Sequence, residues 1–131
     1  MATRGLRNNN PGNIRLSEVK YQGEIKGSDK AFKSFFSRAY GYRAMLVILR
    51  TYYNKYRLNT ITKMIHRWAP TCENNTRAYI NNVSTWSGIN PDAVVEITSK
   101  QMMCAIVAAM SRVENGVQAS RTEVEAGWEL L

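Results

Sequence analysis

Apolar positions along this chain change period more than once, and each change marks an element. From Ala39 onward, Tyr42, Met45, Leu46, Leu49, Tyr52, Tyr53 and Tyr56 recur at i, i+3, i+4 and i+7, which draws one stripe down a helix. A second stripe, Ile61, Met64, Ile65 and Trp68, follows Asn59-Thr60, a pair able to cap a helix start, and Pro70 closes it. The stretch ENNTRAYINNVSTW predicts a third helix that starts at Asn74 or Asn75 and stops at Gly88, with a turn at Asn90 to Asp92. A fourth begins near Ser99 and carries Met103, Ile106, Val107, Met110 and Val113; Ala105, Ala108 and Ala109 allow close helix approach, and Gly116 supplies the stop. The last opens on SRTE, a capping box in which Ser120 and Glu123 satisfy each other's backbone donors, and turns Val124, Trp128 and Leu131 inward.

The first third of the chain follows other rules. Residues 21–37, YQGEIKGSDKAFKSFFS, predict a short β-hairpin that turns at Lys26 to Asp29. Upstream lies RGLRNNNPGNIR, Arg4 to Arg15, rich in amides and turn formers. It has too little apolar content for a core strand, and it reads as a loop with no helix. The expected fold is mainly α (α+β): about five helices and one small β-hairpin in a single domain spanning 1–131, with no repeat or linker.

At 131 residues the chain buries roughly two-thirds of its unfolded surface, enough to fold without a metal or disulfide staple. Cys72 and Cys104 lie far apart with no CxxC, so both read as reduced thiols. His66 is the single histidine, which removes most Ser-His-Asp, Cys-His and zinc-site chemistries. No metal cluster or phosphate-cradling loop is present, and no cofactor is implied. No apolar run reaches the roughly 20 residues of a membrane span, and MATRGLRNNN lacks the apolar segment of a secretory signal. An excess of 18 Lys and Arg over 10 Asp and Glu implies attraction to a polyanion. Bacterial cell wall, with its peptide carboxylates, fits that charge as well as nucleic acid does. The basic residues are scattered over the N-terminal half without a recognition-helix signature, so nucleic acid is not the expected partner.

Several stretches together carry a resemblance. RGLRNNNPGNIR, YQG at Tyr21, YGYRAM at Tyr40, RWAPTCENNTRAYI at Arg67 and VENG at Val113 resemble a phage and prophage family of virion structural proteins of tailless, membrane-containing phages. Two further similarities point to chemistry. ENNTRAYINNV looks like the segment of lytic transglycosylases in which a threonine-arginine pair precedes an active-site tyrosine, which places Tyr79 there. NNNPGNIR followed by AFKSFFS is similar to the asparagine-glycine and aromatic-serine stretches of cell-wall glucosaminidases. Both groups imply a lysozyme-like fold with a catalytic glutamate at a helix end ahead of the amide-rich loop. The first six residues here hold no carboxylate. A circular permutation would repair the order by moving the acid to the end of the fourth helix, where Glu114 stands in SRVENG.

Glycosidic cleavage needs a proton delivered to a poor leaving oxygen. A helix C-terminus disfavours further negative charge, and apolar neighbours disfavour ionisation, so Glu114 between Val113 and Val117 suits the general acid. A second carboxylate belongs on a β element in such folds, which nominates Glu24; Asp29 reads better as a turn residue and Glu73 as a helix-start residue. Asparagine amides match sugar hydroxyls and N-acetyl groups. Asn9 and Asn10 are expected to hold the loop, with Asn8 and Asn13 nearer the substrate. Tyr40 and Tyr79 are the expected aromatic contacts, Tyr79 also orienting Glu114, while Trp68 reads as core.

The function so implied is a peptidoglycan-cleaving glycosidase of phage or prophage origin, muramidase or lytic transglycosylase. It would be virion-associated, or held in the host cytoplasm until release to the wall, with peptidoglycan and other virion proteins as partners. The alternative is a non-enzymatic virion protein that keeps the fold.

Overall fold

The computed structural model describes residues 2–131. Six helices and one two-stranded antiparallel ribbon follow in chain order: α1 Arg4–Arg7, β1 Glu24–Ile25, β2 Ser34–Phe35, α2 Arg38–Tyr56, α3 Ile61–Trp68, α4 Thr76–Ser87, α5 Lys100–Asn115 and α6 Arg121–Glu129. The architecture is mainly α with a small β element, as the patterning predicts.

Each long helix begins where a short polar side chain can take an orphan backbone donor. Ser37, Thr60, Asn75, Ser99 and Ser120 accept from the N–H groups of Tyr40, Lys63, Ala78, Met102 and Glu123. Left-handed Gly88 and Gly116 end α4 and α5. The capping box at α6 is half made. Ser120 caps Glu123, but the Glu123 carboxylate faces Arg38 at 3.9 Å instead of returning to the cap.

The predicted stripes form one core. Tyr42, Met45, Leu46 and Leu49 from α2, Ile61, Met64 and Ile65 from α3, Met103, Ile106, Val107 and Met110 from α5, and Val124 from α6 are all buried together. Full burial of each such side chain contributes about 1.5–3 kcal/mol. The α2 stripe leaves the core at its end: Tyr52 and Tyr53 are partly buried and Tyr56 is exposed. Leu131 lies beyond α6 and is exposed, against the expectation of an inward position. The central helix pairings are α2 on α6 and α4 on α5. The first is close because a Cβ on Gly127 would stand 2.8 Å from the Tyr42 Cβ and 2.9 Å from the Ala39 carbonyl.

Two expectations for the first third need correction. The RGLR stretch is helical for one turn, capped by Thr3, so the opening segment is not loop throughout. The turn formers that exclude a helix begin only at Asn8. The hairpin pairs Glu24 with Phe35 and Ile25 with Ser34, and residues 26–33 connect the strands as a wide loop. Asp29 fixes that loop by accepting the N–H groups of Ala31 at 2.9 Å and Phe32 at 3.0 Å. Arg4 and Asn8 donate to the same carboxylate, which ties α1 to the hairpin. Inside the hairpin Lys33 is wholly buried and binds both Glu24 oxygens at 3.0 Å and the Val19 carbonyl at 2.8 Å.

Candidate functional site

The amide-rich stretch folds into a tight loop because its own side chains replace secondary structure. Asn10 is fully buried; its amide donates to the carbonyls of Ile14 and Lys33 at 2.9 Å, and its oxygen accepts the Ile14 N–H at 2.9 Å. Asn9 donates to the Phe35 carbonyl at 3.2 Å. Asn9 and Asn13 both take positive φ, 52° and 50°, a region asparagine tolerates better than other side chains do.

The end of α5 is clasped to this loop. Buried Asn115 donates to the Pro11 carbonyl at 2.8 Å, and its oxygen accepts the Thr3 hydroxyl at 2.6 Å. Gly5 leaves the room for this junction: a Cβ there would stand 2.7 Å from Asn13 Oδ1 and 2.8 Å from Asn115 Oδ1.

One residue before the clasp, Glu114 turns toward a cleft. Its Oε1 accepts from Asn13 Nδ2 at 3.0 Å. Its Oε2 accepts from the Tyr79 hydroxyl at 3.0 Å and from Trp68 Nε1 at 3.4 Å. Burial, and after it the adjacent Glu114, push the Tyr79 phenol well above its ordinary range, so the hydroxyl stays protonated and donates. Four segments therefore meet on one carboxylate: the opening loop, α3, α4 and α5. The Thr76 hydroxyl, donating to the Ala69 carbonyl, fixes the α3–α4 junction that aims Trp68 and Tyr79 at the same point.

The cleft measures about 340 Å³. Gly12 to Arg15 form one wall, with Phe32, Ile48, Tyr52 and Trp68 as apolar and aromatic surface. Glu73 and Asn74, in the turn before α4, face into it with Glu114. A carboxylate, amides and aromatic faces converge on one concavity, the mix of apolar surface and a few placed polar groups that suits a small ligand.

The sequence-derived candidates divide. Glu114, Asn13 and Tyr79 are brought together. Glu24 is not: it does not line the cleft and is committed to Lys33, to Lys20 at 3.4 Å and to the Tyr21 N–H at 3.2 Å. Burial drives its carboxyl up, but Lys33, the Tyr21 N–H and Lys20 outweigh it and hold the group below its ordinary range. Asn8 is likewise taken by Asp29, and Tyr40 packs edge-on against Phe36 with centroids 6.3 Å apart. Trp68, read from its stripe as core, does pack on the core, yet its indole N–H reaches the site. Glu73, read as a helix-start residue, is the second carboxylate of the cleft. No pattern in the sequence marks Asn115; its one signal is its place between Glu114 and a C-cap glycine.

The chain is 38% identical over 133 residues to Protein P5 of Pseudoalteromonas phage PM2, a match covering 98% of the chain and 81% of the relative. The chain belongs to the family of that phage protein. No family model matches the chain. The phage origin expected from RNNNPGNIR and its companion stretches stands on this relative, and a place in a virion is compatible with it. Among the described residues, no helix is long and apolar enough to cross a membrane.

Proposed function

We propose that the protein is a peptidoglycan-cleaving glycosidase carried by a phage, with Glu114 as general acid. The observation that carries this reading is the placement of Glu114 at a helix end, beside a cleft, held by Asn13, Tyr79 and Trp68. Arrival of the acid from the C-terminal side onto the N-terminal amide loop supports the permuted, lysozyme-like arrangement.

In the reaction, the Glu114 carboxyl gives its proton to the glycosidic oxygen as the bond from that oxygen to the anomeric carbon breaks. The resulting carboxylate then takes the proton of the same sugar's hydroxyl, whose oxygen closes on the anomeric carbon and leaves an anhydro end. With Glu73 as base, a water attacks instead and leaves a reducing end. Asn13 holds one carboxylate oxygen and Tyr79 the other, which fixes the direction in which the proton leaves.

A second reading has its own support. Three donors converge on the two oxygens of Glu114. That pattern also suits a carboxylate serving only as an anchor between the loop and three helices, in a non-enzymatic virion protein.

Incubation of the protein with purified sacculi, followed by analysis of released muropeptides, separates the two. Anhydro ends or reducing ends are expected from the wild type, with a loss of about 10²-fold or more in Glu114→Gln. No product from the wild type across salt and wall types would leave the anchoring role as the surviving reading.

A further inference from the structure

Beside the cleft lies a larger groove of about 670 Å³, and the two share Ile48 and Tyr52 as wall. Lys20, Arg43, Lys55 and Arg67 line the groove, and no carboxylate does. Lys20 is paired with Glu24, and Arg43 donates to the Leu130 carbonyl at 3.2 Å. Lys55 and Arg67 have no carboxylate partner among the described residues. They lie over the Tyr56 ring instead, Arg67 at 3.9 Å and Lys55 at 5.4 Å from its centroid. Two exposed cations on an aromatic shelf, unneutralised by the protein, mark a place for anionic groups.

We propose that this groove binds the carboxylates of the peptide stem of a peptidoglycan strand whose sugars occupy the adjoining cleft. The proposal rests on the glycosidase reading. A branched ligand with neutral sugars at one end and carboxylates on its side chain matches an amide-lined cleft opening into a basic groove. A nucleic-acid backbone carries charge evenly along its length. The cleft end, where Glu73 and Glu114 stand against the single cation Arg15, gives it no matching reception.

The test uses the full chain with Glu114→Gln, to prevent cleavage, and two probes: glycan strands with intact peptide stems, and the same strands stripped of stems by an amidase, with the lactyl carboxyls so freed capped as amides. Binding is measured at low and raised salt. Stem-bearing strands are expected to bind about tenfold tighter, with the preference falling as salt rises. The preference is expected to vanish in Lys55→Gln/Arg67→Gln and to shrink in Lys55→Gln alone, the latter serving if the double variant melts early. Equal binding to both strands, while the wild type cleaves both, overturns the groove assignment and leaves the glycosidase standing. No binding and no cleavage of either strand overturns both. Tighter binding of duplex DNA than of stem-bearing strands, lost in the same variants, overturns the proposal in favour of a phosphate backbone.

Discussion

Asn13 and Glu114 stand 101 positions apart in the chain and meet at 3.0 Å, amide to carboxylate, at the edge of the cleft. The contact joins the first loop to the end of the fifth helix, and Asn115 repeats the connection one residue later through Pro11 and Thr3. Neighbouring residues thus have two jobs: Glu114 faces the cleft, and Asn115 holds the opening segment to the end of α5.

That separation predicts different phenotypes. Asn115→Ala strands the Thr3 hydroxyl and the Pro11 carbonyl, and is expected to cost about 2–4 kcal/mol in a urea melt. Asn13→Gly, which tolerates the φ of 50°, removes one bond at a half-exposed site and is expected to cost under about 1.5 kcal/mol. Equal losses would mean that Asn13 belongs to the clasp.

Burial holds the Tyr79 phenol well above its ordinary range, so its hydroxyl stands as a donor to Glu114 and not as a titrating group. Tyr79→Phe is expected to lower cleavage by about tenfold to a hundredfold through kcat. The loss should leave KM little changed, and stability should fall by about 1 kcal/mol. An unchanged kcat would contradict positioning.

The Lys33–Glu24 pair is closed inside the hairpin. Lys33→Met leaves the Glu24 carboxylate with only exposed Lys20 and the Tyr21 N–H facing it, and is expected to cost about 3 kcal/mol. Adding Glu24→Met should recover most of the loss, measured as a double-mutant cycle. Glu24→Gln, at a temperature where it is folded, is expected to cleave like the wild type. A loss comparable to that of Glu114→Gln would return Glu24 to the catalytic machinery.

Acid should unfold the N-terminal third first. Arg4 above all, then the Ala31 N–H, hold the Asp29 carboxyl well below the ordinary carboxylate range; burial opposes them, and Asn8 and the Phe32 N–H add to the lowering. Glu24 is lowered too. Carboxyls depressed in the folded state contribute stability that is complete above their unfolded pKa of about 4 and is lost as pH falls through the folded value. Stability from denaturant melts is therefore expected to hold from pH 7 to about 5 and to decline below about 4. Asp29→Asn should lower the neutral plateau and flatten the acid limb; an unchanged limb would place the acid sensitivity elsewhere.

Helix starts at Thr60, at Asn74 or Asn75, near Ser99 and at Ser120, the stops at Gly88 and Gly116, and the stripes that form the core were legible in the chain itself. Caps and periodicity are set by neighbours within a turn or two, so local chemistry is enough to fix them. The nomination of Glu114 rests instead on the resemblance and the permutation it requires, which put the acid on the helix that ends before Gly116. Its partners were another matter. Tyr79 stands apart from Tyr40 only through the transglycosylase-like segment, and nothing local tells Asn13 from Asn8, since both offer the same amide in one loop. Packing gave Asn8 to Asp29 and Asn13 to Glu114, sent Glu24 to Lys33, and turned the edge of a core tryptophan toward a carboxylate. Those choices depend on which distant surfaces meet once the helices close on one core, and that meeting is decided by tertiary structure alone.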